Sequence, residues 1–289
     1  MCWLLLSLTS GISVAIRNII TKKLVFRTDR WVILYSKYLF VSLFTMLLIF
    51  MTGIPEIKPG FYSYVFIASV IDVVAAWFYL NAIASSQLAK TFPLIAFTPI
   101  FAIGTSFIVL GEKPSLTGLS GILLIVCGAY LLRSESIKTG LLEPVKLLFK
   151  EKGPRQMLIA AFLFSFLAVF FKKAILSSSP FFAFGATQLL SALLLTLFFL
   201  KKRNLRDLLR KTTDNFRLLF IAGIIAFLAG LTLFAAFQLG LAAYVVSVKR
   251  ISILLTIILG YIFFNEDHFI RSLIIGSIML LGILLISLG

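Results

Sequence analysis

Apolar stretches long enough to cross a membrane, about 17 to 25 residues each, recur along the whole of this 289-residue chain. A helix of about 20 apolar residues spans the hydrocarbon core of a bilayer, so each stretch predicts a transmembrane helix. Hydrophobic residues make up 61% of the chain and charged residues 13%, whereas a soluble domain is about half apolar and about a quarter charged. The sequence therefore predicts an all-α integral membrane protein and excludes an ordinary soluble enzyme.

Charged residues, Pro and Gly divide the chain into ten such stretches, arranged as two sets of five. We predict spans at residues 2–20, 31–52, 62–84, 89–110, 115–132, 157–178, 180–200, 217–238, 242–264 and 271–288. A polar linker at 133–156 separates a first five-helix repeat, residues 1–132, from a second, residues 157–289. No soluble domain of useful size remains.

The two halves repeat one another when they are aligned with an offset of 154 residues. Three features share this offset: Phe66-Ile67-Ala68 falls on Phe220-Ile221-Ala222, Glu112 on Glu266, and Gly128 on Gly282. Nearer the N-terminus the offset is 150, which places Lys22 on Lys172. A duplicated unit with an odd number of spans enters the membrane in opposite senses. The sequence thus predicts two inverted five-helix repeats around a central cavity, as in secondary transporters.

The Lys and Arg residues are concentrated in alternate connections. The first, fifth and seventh connections hold 4, 6 and 6 cations, whereas the second, fourth and eighth together hold only Lys58 and Lys113. The positive-inside rule then places the odd connections in the cytoplasm and both termini outside. Lys172 and Lys173 lie at the opposite end of span six and run against this assignment. We expect a multi-pass protein of the plasma (inner) membrane.

The remaining motif inventory is sparse. Cys2 and Cys127 lie in apolar runs without a CxxC pattern, and His268 is the one histidine of the chain. Neither a phosphate-binding loop nor a GxSxG motif occurs. We therefore expect no metal, no cofactor and no catalytic residue. The net charge of +16 is attributed to membrane topology and anionic lipid, not to nucleic acid. The oligomeric state is left open.

The stretch from Pro99 to Gly128 reads P-x12-E-K-P-x3-G-x2-G-I-L-L-I-x2-G, and its counterpart runs from Val248 through Glu266 to Gly282. These segments resemble the EamA domains of the drug/metabolite transporter superfamily. The resemblance covers the whole chain in span number, in the duplication and in the Glu that closes spans four and nine. It implies export or exchange of small metabolites through a central cavity. Ile253 replaces the proline at the Pro99 position, so spans four and nine are not expected to be equally broken.

Charged side chains inside a membrane span are costly, so they are candidate functional residues by default. The deepest are Asp72, Lys37, Lys90, Lys249 and Arg250. Arg17 and Arg271 lie near predicted span ends, where snorkelling to the interface is the cheaper interpretation. For Asp72 a packing ion pair with Lys249, Arg250 or Lys37 is as compatible with the sequence as a role in transport.

Hydroxyl side chains extend this candidate site. Thr91, Thr98 and Thr105 recur every seven residues on span four, and Lys249, Ser252 and Thr256 share one face of a continuous span nine. Thr98 and Ser252 are repeat equivalents, and Tyr79 shares a face of span three with Asp72. Interhelical hydrogen bonding is the alternative for each hydroxyl. The predicted substrate-binding residues are Asp72, Tyr79, Thr91, Thr98, Lys249, Arg250, Ser252 and Thr256. For Glu112 and Glu266, capping or an interfacial salt bridge is favoured over chemistry.

These features favour a secondary transporter, an exporter or exchanger of a small polar or anionic metabolite. Substrate arriving at or leaving Lys249 would change whether Asp72 holds a proton, which would couple transport to protons. A membrane-embedded enzyme acting on a lipid or polyprenyl substrate is the alternative, but one His and one deep Asp are a thin inventory for acid/base or metal chemistry. A non-transporting scaffold subunit would not need charged residues inside its spans.

Overall fold

The computed structural model describes residues 2–85, 92–131, 151–202, 205–264, 278, 280–286 and 288. Every regular element within these residues is a helix. The first half contains α1 (Cys2–Val25), α2 (Arg30–Thr52), α3 (Phe61–Ser85), a 3-10 helix (Phe92–Phe97), α4 (Thr98–Leu110) and α5 (Leu116–Leu131). The second half contains α6 (Lys152–Leu176), α7 (Pro180–Lys202), α8 (Leu205–Asp214), α9 (Phe216–Leu239), α10 (Ala242–Lys249) and α11 (Ile251–Phe264). Residues 280–286 are also helical.

Seven segments of the described chain are long and apolar enough to cross a membrane: α1, α2, α3, α6, α7, α9 and the α10–α11 segment. Two shorter apolar helices, Leu94–Leu110 and Leu116–Gly128, coincide with predicted spans four and five. Half of predicted span ten, 271–288, lies outside the described residues, so the number ten stays a prediction. The helix of span six begins at Lys152, not at 157, and therefore includes the last residues of the predicted linker.

Spans four and nine are both interrupted, but in different ways. Pro93 and Pro99 remove backbone N–H donors in span four, where the 3-10 helix gives way to α4 at Thr98. In span nine the break falls at Arg250, whose N–H donates to the Ser247 carbonyl at 2.9 Å while its own carbonyl accepts from Ile253 N at 2.9 Å. These tighter i to i−3 bonds separate α10 from α11. Span nine is thus interrupted although it carries Ile253 at the position that Pro99 occupies in span four.

The core lies between the two halves of the chain. Helix α3 packs against α6, α1 against α9, α2 against α7, α1 against α11, and α4 against α6. Gly121 on α5 and Gly282 in the last helical segment allow a further close approach, because a Cβ at either glycine would lie 2.5 to 2.6 Å from the other's carbonyl oxygen. This is the packing role expected of small residues between membrane helices.

Candidate functional site

A cavity of about 190 Å³ lies between the halves, walled by α1, α2 and α3 on one side and by α6, α7, α9 and α10 on the other. Most of its wall is apolar. Its polar lining consists of eight side chains: Arg17, Thr21, Lys37, Asp72, Tyr79, Gln188, Lys249 and Arg250. Among the described residues that line it, four cations face one carboxylate, a formal balance of +3.

Asp72 on α3 is held within this cavity by two neighbours. The Lys37 Nζ lies 3.7 Å from Asp72 Oδ2, and Gln188 donates from Nε2 to the same oxygen at 3.3 Å. Lys37 also lies over the Tyr38 ring, with its Nζ 3.8 Å from the ring centroid. Asp72 is 5% exposed, so the desolvated carboxylate is compensated by an ion pair and a hydrogen bond.

The break in span nine places two further cations on the wall. Arg250 is 8% exposed, yet its buried Nε has no hydrogen-bond partner among the described residues. Lys249 is half-buried at the end of α10. Gly11 lets α1 run against this break, because a Cβ there would lie 3.0 Å from the Lys249 carbonyl oxygen and 2.7 Å from an Ile251 methyl. No carboxylate in the described part of the chain forms a salt bridge with either cation.

Tyr79 reaches the cavity wall from a buried chain of hydrogen bonds. Its hydroxyl donates to Asn18 Oδ1 at 2.9 Å, and Asn18 donates from Nδ2 to Thr256 Oγ1 at 3.1 Å. Asn18 and Thr256 are almost completely buried. This chain joins α3, α1 and α11, so Thr256 orients Tyr79 through Asn18 from outside the cavity lining.

The structure brings four of the eight predicted site residues together on the cavity wall: Asp72, Tyr79, Lys249 and Arg250. Thr98, Ser252 and Thr256 are buried but lie outside the lining, and Thr91 lies outside the described residues. The Thr98 hydroxyl donates to the Ile95 carbonyl within its own span, at 2.7 Å. Because the helix breaks at Arg250, the seven-residue spacing from Lys249 to Thr256 no longer defines a common face.

Arg17, Thr21 and Gln188 line the cavity although the sequence did not single them out for it. Arg17 reaches the lining because α1 continues to Val25 instead of ending near residue 20, which places Arg17 about two turns inside the helix; the interfacial interpretation stays a prediction. The nearest cation to Asp72 is Lys37, one of the three candidates, and neither Lys249 nor Arg250 forms a salt bridge with it. Gln188 carries no charge, so a search for charged side chains inside the predicted spans does not identify it.

Glu112 has the capping and salt-bridge role that its position at a span end indicates. Its Oε2 accepts a hydrogen bond from Ala242 N at 2.8 Å, at the start of α10, and its Oε1 pairs with Lys172 Nζ. Lys172 also donates to the Gly240 carbonyl at 2.6 Å, at the end of α9. The contacts therefore join the two halves. Glu266 lies outside the described residues.

Comparison with known proteins places this geometry in a family. A family model described as the EamA-like transporter family matches residues 1–134 and 152–288. One solved structure, titled "Crystal structure of protein", superposes with a TM-score of 0.71 at 13% identity, covering 98% of this chain and 96% of that chain, and shows the same fold. A comparison with curated proteins found no match. The family match extends over both halves of the chain, and the protein is a member of the EamA-like transporter family.

Proposed function

We propose that the protein is a secondary transporter that exports or exchanges a small anionic metabolite through the cavity between its halves. The observation that carries this proposal is the charge of the cavity: Asp72 is satisfied by Lys37 and Gln188, whereas Arg17, Lys249 and Arg250 have no carboxylate partner in the described chain. Buried cations are costly unless they meet an opposite charge. A substrate carboxylate or phosphate supplies that charge.

Arg250 is best suited to hold the anion. A guanidinium presents donors in a planar fork that matches carboxylate and phosphate oxygens, and within the part of the chain that the structure describes the buried Nε of Arg250 has no acceptor. Lys249 adds a point charge beside it. Another part of the wall is apolar, where Phe171 and Phe184 each pack against Phe234, so it suits an uncharged part of the same substrate.

Two inverted five-helix repeats make alternating access to such a site possible. The helix contacts support this arrangement. When every span is replaced by its equivalent in the other half, so that span one becomes span six and span six becomes span one, each main helix contact maps onto a main helix contact. The contact of span three with span six becomes that of span eight with span one, and the contact of span four with span six becomes that of span nine with span one. We further infer ten spans, both termini outside, and residence in the plasma (inner) membrane.

Coupling to protons follows from the Asp72 pair. A substrate anion near Lys37 competes with Asp72 for that cation, and a buried carboxylate that loses its cation is stabilised by taking up a proton. Arrival and departure of the anion would then bind and release a proton at Asp72. Lys37 thus takes the place that the sequence assigned to Lys249 and Arg250.

Counterflow in proteoliposomes tests the proposal with a panel of carboxylates, phosphorylated metabolites, neutral sugars and cationic drugs. We expect exchange of at least one anionic class, with neutral analogues of the same compounds transported poorly. Exchange of cations in preference to anions would contradict the charge argument. A lack of movement with the whole panel would contradict the transport function.

A further inference from the structure

Four groups meet at one end of the helix bundle. Glu112 follows α4, Lys172 lies near the end of α6, and Gly240 and Ala242 form the connection between α9 and α10. The second connection reaches the same end, since Lys58 N donates to the Ser177 carbonyl at 2.9 Å. Lys172 caps the carbonyl end of α9 while Glu112 caps the amide end of α10, so each charge also matches the helix terminus it contacts.

This cluster lies beyond one end of the cavity lining. The lining runs from Thr21 and Leu219, near the opposite end of α1 and α9, to Phe171 and Phe237. Phe171 directly precedes Lys172, and Phe237 lies three residues before Gly240. The Glu112–Lys172 contacts therefore lie next to the aromatic end of the cavity.

We propose that Glu112 and Lys172 form a latch that holds the cavity closed at this end and is released when the cavity opens there. The inference rests on the proposed transport function. The latch joins α4 of one half to α6 and α10 of the other, so repeats that move against each other must break it. Because α10 is eight residues long and ends at Lys249, the same contacts that seal the cavity also hold a cation of its wall in place.

Two features make the latch separable from folding. Tyr244 ties α10 to the connection between α4 and α5 independently of Glu112, since its hydroxyl accepts from Ser115 N at 2.9 Å. In Glu112→Gln, the amide oxygen can still accept from Ala242 N, but the charge that holds Lys172 is lost. Lys172→Met removes the same pair from the other side and leaves the Glu112 carboxylate on α10.

Cysteine accessibility measures the state of the latch without any substrate. In a background without native cysteines (Cys2→Ser, Cys127→Ala), the probe is Ala226→Cys on the cavity wall. An impermeant charged thiol reagent is applied to sealed vesicles from each side in turn. We expect Glu112→Gln and Lys172→Met to raise the labelling rate several-fold from the latch side and to lower it from the other side. Glu56→Gln, an exposed acid at the same end, serves as the control that leaves both rates unchanged.

Unchanged labelling from both sides in folded Glu112→Gln and Lys172→Met would overturn the latch, and labelling raised equally from both sides would mean general loosening instead. If Glu112→Gln fails to fold, Lys172→Met decides alone. The charge swap Glu112→Lys with Lys172→Glu should not restore closure, because Lys cannot accept a hydrogen bond from Ala242 N. If the swap does restore closure, the hydrogen bond to Ala242 plays no part and the proposed latch is overturned in favour of an ion pair alone. Transport failing with every substrate would contradict the proposed function while leaving this readout valid.

Discussion

Asp72 Oδ2 and Lys37 Nζ lie 3.7 Å apart on the neighbouring helices α3 and α2, so the acid of the cavity is paired within the first half of the chain. Lys249 and Arg250 come from the second half, and neither forms a salt bridge within the described residues. The pairing separates the roles of the cavity cations: Lys37 balances Asp72, and in the proposed function the other cations attract the substrate anion.

Removal of a cation from the cavity wall should weaken the binding of anionic substrates and leave the binding of neutral substrates unchanged. Hydrogen bonds to charged groups contribute about 1.5–3 kcal/mol, so Lys249→Ala and Arg250→Ala are each expected to raise the transport KM for anions about tenfold to a hundredfold. Arg210→Ala, an exposed cation on α8, is the matched control. Equal weakening of neutral and anionic substrates would show that the cations are structural.

Asp72→Asn should abolish the pH dependence of transport and keep exchange, since the amide cannot take up a proton. The same change leaves the half-buried Lys37 without its counter-charge, so we expect lower thermal stability that Lys37→Met in the same chain partly restores. Transport rates measured across a pH series decide the coupling role. An unaltered pH profile in Asp72→Asn would leave Asp72 as a packing ion pair.

The hydroxyl residues divide into two groups by their contacts. Thr98→Val removes a hydrogen bond within its own span, and Ser252 lies outside the cavity lining, so Val at either position should leave KM unchanged. Thr256→Val removes the hydroxyl that accepts a hydrogen bond from Asn18. The loss of this interhelical bond lowers the stability by about 0.6 kcal/mol. Asn18 then holds Tyr79 less firmly. We expect KM to rise in Thr256→Val and in Tyr79→Phe. A raised KM in Thr98→Val would restore that residue to the site.

Gly121→Ala tests the close approach of α5 and the last helical segment. A Cβ would lie 2.5 Å from the Gly282 carbonyl oxygen, where backbone cannot yield cheaply, so we expect a loss of about 1–3 kcal/mol. Gly104→Ala meets nothing within 4 Å and should be neutral or mildly stabilising, because Ala favours the helix. Thermal unfolding in detergent compares the two variants, and equal stability would contradict the packing role.

The membrane orientation is tested with an impermeant thiol reagent on whole cells. Gly53 and Thr213 are both exposed, in the second connection and on α8 respectively. If residues 201–216 are cytoplasmic, Gly53→Cys is labelled and Thr213→Cys is protected. The reverse pattern would invert the orientation and leave the fold unchanged.

The sequence by itself determined the helical membrane architecture, because a span must bury its backbone polar groups within itself and expose apolar side chains to lipid. The same rule singled out Asp72, Lys249 and Arg250, since a charge within an apolar run needs no three-dimensional information to be recognised. Tyr79 followed from its helical spacing to Asp72. The capping role of Glu112 followed from its place at the end of span four.

Only the tertiary structure decided which polar groups share the cavity. Arg17 reaches it because α1 extends to Val25, and Ser252 and Thr256 leave the lining because the helix breaks at Arg250. Gln188 enters through its bond to Asp72, and Lys172 finds Glu112 across the two halves. Spacing along one helix fixes a face only while that helix continues, and which neighbour that face meets depends on how distant helices pack.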